Sequence, residues 1–421
     1  LHTPKGTRDY LPDEVRTYRY FENELREIFE FWGYQEIRSS TLEFVEALSI
    51  GVGPDIIDRM FKFQDFDGKM LALRTEMTTP IARIVTAKMA SCPEPIRLFY
   101  ITNVFRHSQS YVGRGREFWQ AGVELIGCDT PETDGEILSL VVSCLKKLGL
   151  SDVRVDIGHA DLLRNLLNAT GLDEGGKENL RSFLAYHDNE RLEKFLDGVK
   201  VPCELREIFL RLSRCRKLGD LSSLPFNSTG YGKVENHVGN LLKVEDVLVD
   251  YGVESSVFFD FSLTRKIEYY TGIVFEASVP NMGLPVGGGG RYNNLIEKFG
   301  DLRLPATGFA LQIENCLQAL QAQGLKIPEN GRPAILVTSN FRKTAIEAAK
   351  TLREAGFLTS IDLQKADEKK TIDYAKLLGM DYVVFMGSSI SEPVRIYDLE
   401  MSIFRNTTLS TFMQQNRGRS A

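Results

Sequence analysis

VFRHSQSYVGRGREFWQAGVELIG, from Val104 to Gly127, is the stretch that decides how this chain folds. Its second half, Phe118–Ile126, alternates apolar and polar residues as a half-buried strand does. The residues leading into it, Ile96–Val104, are β-type as well, and turn-forming Gly and Ser residues lie between the two runs. Strands this close in sequence are expected to be antiparallel neighbours. Gln120 and Glu124 stand four apart in the second strand, so both point to one face of the sheet. Taken alone, either would read as a polar residue satisfied inside a sheet.

Outward from these strands, Pro12–Trp32 reads as an amphipathic helix, with Val15, Tyr18, Phe21, Leu25, Ile28, Phe29 and Trp32 at three- and four-residue steps. Pro12 suits the first helical position, Asp13 and Glu14 complement the positive helix end, and Gly33 is a natural stop. Strands are predicted at Tyr34–Ile37 and Met70–Leu73, and a helix at Glu136–Leu148. The result is an α+β core, a strand-rich sheet with helices packed on it, over 1–159 and 251–322. Between its two parts, 160–250 carries leucines and charges at helical spacing (DLLRNLLNATG, RLEKFLDG, ELREIFLRLSRC, HVGNLLKVEDVLVDYG), a helical insertion. Strands resume at Ser256–Ser262 and Ile273–Ala277, and a helix over Gln312–Ala322 closes the core. A polar linker, QGLKIPENGR, covers 323–332. In 333–421, strands Ala334–Val337, Thr359–Asp362 and Tyr382–Phe385 alternate with helices Lys343–Ala355 and Asp367–Leu378. That βαβαβ pattern implies a small α/β domain with parallel strands.

At 421 residues the chain should hold two or three domains, because single cores rarely grow past roughly 250–300 residues. Its 43% hydrophobic and 26% charged residues are ordinary for a globular protein. A net charge of −6 gives no general attraction to a polyanion. Residues 332–421 carry 13 Lys+Arg against 10 Asp+Glu, a net of +3 and too mild a bias to argue for tRNA. Cys92, Cys128, Cys144, Cys203, Cys215 and Cys316 lack metal-ligand or disulfide spacing, so free thiols are expected. His159, His187 and His237 show no metal-ligand spacing either, and no metal site is expected. LHTPKGTRDYLPDE has no apolar core of signal-peptide length, and no apolar run approaches roughly 18 residues. No membrane span is expected, and the cytoplasm is the expected location.

Four more segments stand around the opening one: LRTEMTTPIAR (Leu73–Arg83), TRKIEYYTGIVFE (Thr264–Glu276), GGGGRYNNLIEKFG (Gly287–Gly300) and TGFALQIENCLQAL (Thr307–Leu320). The glycine run lacks the strand-to-helix G-x-G-x-x-G context of a dinucleotide site. In this order the five segments resemble the active site of class II histidyl-tRNA synthetases. The resemblance runs from Pro4 to Leu317, about three quarters of the chain. It implies a class II core, an antiparallel sheet flanked by helices, followed by an α/β domain similar to an anticodon-binding domain.

The resemblance also assigns roles. Glu76 and Thr78 match residues that receive the ammonium of histidine. Gln120 and Glu124 match residues that hold the amino acid, with Glu124 facing the imidazole. Tyr269 and Tyr270 supply a wall and a phenolic hydrogen bond, and Gly287–Gly290 let backbone approach the ligand. Arg106 matches the arginine on the α-phosphate and carboxylate, and Arg265 the arginine that stabilises charge at adenylate formation.

Other positions depart from the pattern. Gln312 and Asn315 stand where the family carries a glycine and an ATP-clamping arginine. His107-Ser108-Gln109-Ser110 replaces a stretch with a glutamate and an arginine, Lys266 a glycine, Glu268 an aspartate, and Asn293 the aspartate after Arg-Tyr. Asparagine cannot make a bidentate, charged contact to phosphate. Arg114 and Arg116 could bind phosphate or pair with Glu117 or other carboxylates; both readings stay open.

A synthetase-like chain that keeps the amino-acid pocket but loses the nucleotide clamp is similar to the regulatory subunits of ATP phosphoribosyltransferase. That resemblance implies no catalytic residues and no cofactor. It also implies self-dimerisation through the core, a short-form catalytic subunit as partner, and free histidine as effector of the first step of histidine biosynthesis. The alternative is an active histidyl-tRNA synthetase, favoured by Arg106 and Arg265. A third class is a paralogue that binds histidine for unrelated regulation.

Overall fold

Ile96–Phe105 and Glu117–Ile126 pair antiparallel along their whole length, Ile96 opposite Ile126 and Phe105 opposite Glu117. The structure, a computed structural model, describes residues 2–107, 115–186, 188–224, 232–261, 263, 269–325, 333–364 and 367–416. Expectations placed on Ser108, Gln109, Ser110, Arg114, His187, Arg265, Lys266 and Glu268 lie outside the described residues.

The strands of the first unit are β1 (Gln35–Glu36), β2 (Leu42–Phe44), β3 (Lys62–Gln64), β4 (Met70–Leu73), β5 (Ile96–Phe105), β6 (Glu117–Ile126), β7 (Arg154–His159), β8 (Val257–Phe259), β9 (Ile273–Ser278), β10 (Gly287–Arg291) and β11 (Ala306–Gln312). Eight of them form one sheet in the order β1-β5-β6-β11-β10-β9-β7-β8, and β2-β4-β3 form a small second sheet. The large sheet is antiparallel through its middle but ends in a parallel pair at each edge, β1–β5 and β7–β8. It is therefore mixed, where the sequence predicted an antiparallel sheet.

One face of the sheet carries the Pro12–Phe31 helix, whose Phe29 ring lies 5.3 Å from Phe99 and 6.2 Å from Phe309. On the other face Leu98, Tyr100 and Ile126 join a cluster with Ile81 and Val85 of the Thr78–Lys88 helix. With both faces covered, β6 is buried continuously from Gln120 to Ile126 and lacks the half-buried alternation expected of it. The Pro131–Lys147 helix begins a turn earlier than its apolar period suggests. Pro131 at the first position, with Glu132 and Asp134 in the first turn, sets that start.

Between β7 and β8, the described residues form five α-helices, Ala160–Ala169, Glu174–Ala185, Asn189–Gly198, Cys203–Leu212 and Gly232–Asp250. His159 caps the first of them, its Nδ1 accepting from the Leu162 N–H at 3.2 Å, with the His237 ring 4.5 Å away. Burial pushes the His159 imidazole down to about 3, so it stays neutral.

By internal contacts the chain divides into two units, Leu1–Lys326 and Ile327–Ala421. The second holds β12 (Ala334–Thr338), β13 (Leu358–Ile361), β14 (Tyr382–Phe385), β15 (Val394–Asp398) and β16 (Ile403–Thr407), in the order β13-β12-β14-β15-β16. β12 pairs parallel with β13 and β14, as the βαβαβ pattern predicts. β15 and β16 then add antiparallel, which the pattern did not predict. No helix among the described residues is long and apolar enough to cross a membrane.

Candidate functional site

Register places the site. Across β6, β11 and β10, Glu124 lies opposite Gly308 and Gly308 opposite Gly290. One step along, Gly122 lies opposite Ala310 and Ala310 opposite Gly288; one further, Gln120 lies opposite Gln312. Cross-strand partners share a face. This face therefore carries a floor of glycine and alanine flanked by glutamate and two glutamines. The small residues are required. A Cβ on Gly122 would lie 2.6 Å from the Tyr100 hydroxyl, and one on Gly308 would lie 2.0 Å from Glu124 Oε2.

Above the floor is a cavity of about 110 Å³. One water needs roughly 10–15 Å³ of such space, so the cavity admits a small organic molecule. Glu76, Arg106, Gln120, Tyr100, Tyr269 and Tyr270 are among the residues around it. Of the eight candidates named from the sequence, the structure brings six to the lining: Glu76, Thr78, Arg106, Gln120, Tyr269 and Tyr270. Glu124 lies just behind it, and Arg265 falls outside the described residues.

Glu76 follows β4 and meets the start of the Thr78–Lys88 helix. Its two oxygens accept from the Thr78 N–H at 2.7 Å and the Thr79 N–H at 2.9 Å. Burial raises its carboxyl above the ordinary range, opposed by hydrogen bonds from Thr79 and by the Arg106 charge. Arg106 leaves the end of β5 and is fixed by Nε donating to the Thr75 carbonyl at 2.8 Å, with its guanidinium 5.3 Å from the centre of the Phe118 ring. Burial lowers its basicity, and Glu76 opposes that effect.

Glu124 is 1% exposed, and both its oxygens are taken. Thr78 Oγ1 donates to one at 2.7 Å and the Tyr292 hydroxyl to the other. Burial pushes its carboxyl up to about 8, and the nearby Glu76 charge pushes the same way. Thr78 and Tyr292 both line the cavity, so the carboxyl reaches it through their hydroxyls. Gln120 is the opposite case: it is 5% exposed, and its Oε1 has no hydrogen-bond partner. Tyr269 and Tyr270 form an edge-to-face pair 4.9 Å apart, and Tyr269 meets Tyr292 at 5.6 Å. The Glu76 carboxyl at the cavity, with Glu124 behind it and a Gln120 carbonyl oxygen lacking a donor, favours a ligand with an ammonium or other N–H donors. Arg106 offers a contact for a carboxylate.

The residues that depart from the synthetase pattern behave differently. Asn315 Nδ2 donates to the Pro285 carbonyl at 2.8 Å and to Gln312 Oε1 at 3.1 Å. Glu314 accepts from the Trp119 N–H at 3.0 Å and the Tyr18 hydroxyl at 3.3 Å, tying its helix to β6 and to the Pro12–Phe31 helix. Asn293 does not line the cavity. It donates to Asp129 at 3.1 Å and accepts from Arg291 at 3.2 Å, beside the buried Arg291–Asp134 ion pair. Glu117 accepts from Asn103 at 2.7 Å, and the Arg116 backbone N–H donates to the Gly6 carbonyl at 2.6 Å.

Sequence reasoning missed Tyr100, Tyr292 and Pro285. Tyr292 follows the glycine run directly, and Tyr100 sits opposite Gly122 on the Gln120–Glu124 face. Carrying the two-residue period of β6 across to β5 would have found Tyr100.

Residues 6–316 match the family described as Histidyl-tRNA synthetase. The chain is 35% identical to a histidine–tRNA ligase of Thermococcus kodakarensis, covering 94% of this chain and 93% of the relative. It is 32% identical to an ATP phosphoribosyltransferase regulatory subunit of Geobacter metallireducens, over 96% and 94% of the two chains. A solved structure described as an ATP phosphoribosyltransferase regulatory subunit/histidyl-tRNA synthetase from Bacillus halodurans superposes with a TM-score of 0.79 at 30% identity, over 92% of this chain and 98% of that one. Family match, fold and cavity agree: this chain belongs to the histidyl-tRNA synthetase family, in the company of both tRNA ligases and ATP phosphoribosyltransferase regulatory subunits.

Proposed function

We propose that this chain is a non-catalytic regulatory subunit of ATP phosphoribosyltransferase. It binds free histidine in the cavity bounded by Glu76, Gln120 and Tyr270. It self-associates, and it joins a short-form catalytic subunit in the cytoplasm for the first step of histidine biosynthesis. Asn315 carries this reading. Where the synthetase pattern has an ATP-clamping arginine, this chain has a neutral amide already bonded to Pro285 and Gln312. A phosphate-clamping arginine can contribute roughly 10³–10⁵ in rate, and an amide makes no charged bidentate contact in its place. The amino-acid side stays equipped: Glu76 and the unpartnered Gln120 Oε1 suit an ammonium, and Arg106 suits a carboxylate. Histidine then acts as an effector by binding two assembly states with different affinity.

The test mixes the purified chain with a short-form ATP phosphoribosyltransferase and weighs the products by mass photometry. A hetero-oligomer whose transferase activity falls when histidine is added is expected. Separate species with unchanged activity would overturn the reading. The rival, an active histidine–tRNA ligase, draws on Arg106 beside Glu76 and on the ligase relatives. Its signature is histidine-dependent ATP–pyrophosphate exchange.

A further inference from the structure

Glu124 meets the cavity through two hydroxyls. Its buried carboxyl lies behind Thr78 and Tyr292, which line the cavity and take one carboxyl oxygen each. A hydroxyl has one proton to donate, two positions that accept, and freedom to rotate toward its partners. Against an ionised carboxylate, both hydroxyls donate inward, and both offer the cavity acceptors alone. Against a protonated carboxyl, one of the two accepts, and its own proton is free to turn toward the cavity. The wall then shows one donor and one acceptor. Neutral imidazole carries the matching pair, one bare nitrogen and one N–H, whereas imidazolium carries two N–H donors.

We propose that Glu124 is a positioning residue that holds a proton in the empty cavity, and that this proton, relayed by Thr78 or Tyr292, fits the cavity to a neutral imidazole. The role rests on the reading that the cavity takes free histidine. The surroundings of Glu124 hold the proton in place. Glu76, ahead of the Thr78–Lys88 helix, adds a like charge, while β11 contributes only Gly308 opposite it. Tyr100 on β5, Tyr269 ahead of β9 and Tyr292 after β10 are buried phenols held well above their ordinary range, so they stay neutral. The Arg106 charge acts on Glu76. Burial supplies the largest push on the Glu124 carboxyl, to about 8.

Calorimetry with histidine on the full chain, repeated across pH, tests this role. A free imidazole titrates near about 6.5, so between there and about 8 binding exchanges almost no proton and affinity is level. Above about 8 the empty Glu124 must regain a proton, and affinity falls about tenfold per pH unit. Glu124→Gln presents a donor and an acceptor at every pH, so it should escape that fall. The ratio of native to variant affinity should drop about tenfold between roughly pH 7 and 9, because histidine's ammonium and Glu76 titrate alike in both proteins. A ratio constant over that range would overturn the role of Glu124 and leave the histidine reading standing. The native chain alone gives a second measurement, the proton exchange read from buffers of different ionisation heat at about pH 7. Uptake of most of a proton there would mean an ionised Glu124 gripping an imidazolium, and would also overturn the role. A native chain that binds no histidine at any pH would overturn both the role and the reading beneath it.

Discussion

The two sides of one cleft treat their polar groups in opposite ways. On the side proposed for the amino acid, Gln120 Oε1 is buried without a partner, and the nearby Glu76 charge adds to the burial that raises the Glu124 carboxyl. On the side where the synthetase pattern places the nucleotide, Asn315 donates to both Pro285 and Gln312, and Glu314 accepts from the Trp119 backbone and Tyr18. A buried polar group left open costs stability, which is tolerated where a ligand completes it. The Asn315 amide is not left open in this way, because both its contacts lie inside the protein. On the function proposed above, the difference separates a cavity open to an amino acid from a nucleotide side closed by internal hydrogen bonds.

The strongest way to break the amino-acid side is Gly308→Ala. The new methyl would fall 2.0 Å from Glu124 Oε2, with the sheet backbone behind it. We expect a loss of about 2–3 kcal/mol in urea unfolding and no measurable histidine binding by calorimetry. A stable variant with native affinity would show that Glu124 is not held against this floor.

Glu124 next predicts a pH signature. Its folded carboxyl is pushed up from 4.5 to about 8, so the folded chain keeps a proton that the unfolded chain releases. The resulting stability is present in full below about pH 4.5 and is lost as pH rises through about 8. Relative to Glu124→Gln, which cannot ionise, the melting temperature of the native chain should fall steadily across that window. A constant difference between the two proteins would contradict the assignment.

Gln120→Leu removes an unpaired acceptor. The ligand-free protein should gain about 1 kcal/mol of stability while its histidine affinity falls roughly 10-fold. A loss of stability would mean that Gln120 already has a partner. The smallest effect is expected across the cleft. Asn315→Ala should cost about 1 kcal/mol through its two lost hydrogen bonds and leave histidine affinity within about twofold. A large affinity change there would erase the contrast between the two sides.

How far the sequence could be read follows the same division. The two-residue period of Phe118–Ile126 suffices to put Gln120 and Glu124 on one face, and the ordered segments suffice to bring Glu76, Arg106 and the two tyrosines to it. Register between strands is not written in either strand alone, so Tyr100 opposite Gly122 stayed hidden. Four consecutive glycines oppose β-propensity, yet Gly287–Arg291 is a strand because its neighbours approach too closely for side chains. Asn315 could be seen as a departure, but its bond to Pro285, thirty residues earlier, depends on the folded loop. In the second unit, β16 is almost wholly exposed, so it carries no burial pattern to reveal it.

Histidine-dependent ATP–pyrophosphate exchange by the purified chain tests the central claim most directly. With histidine present at concentrations that calorimetry shows to saturate the cavity, no exchange above the enzyme-free background is expected. Robust exchange would mean that the cleft still activates its amino acid, and that Asn315 has not closed the nucleotide side.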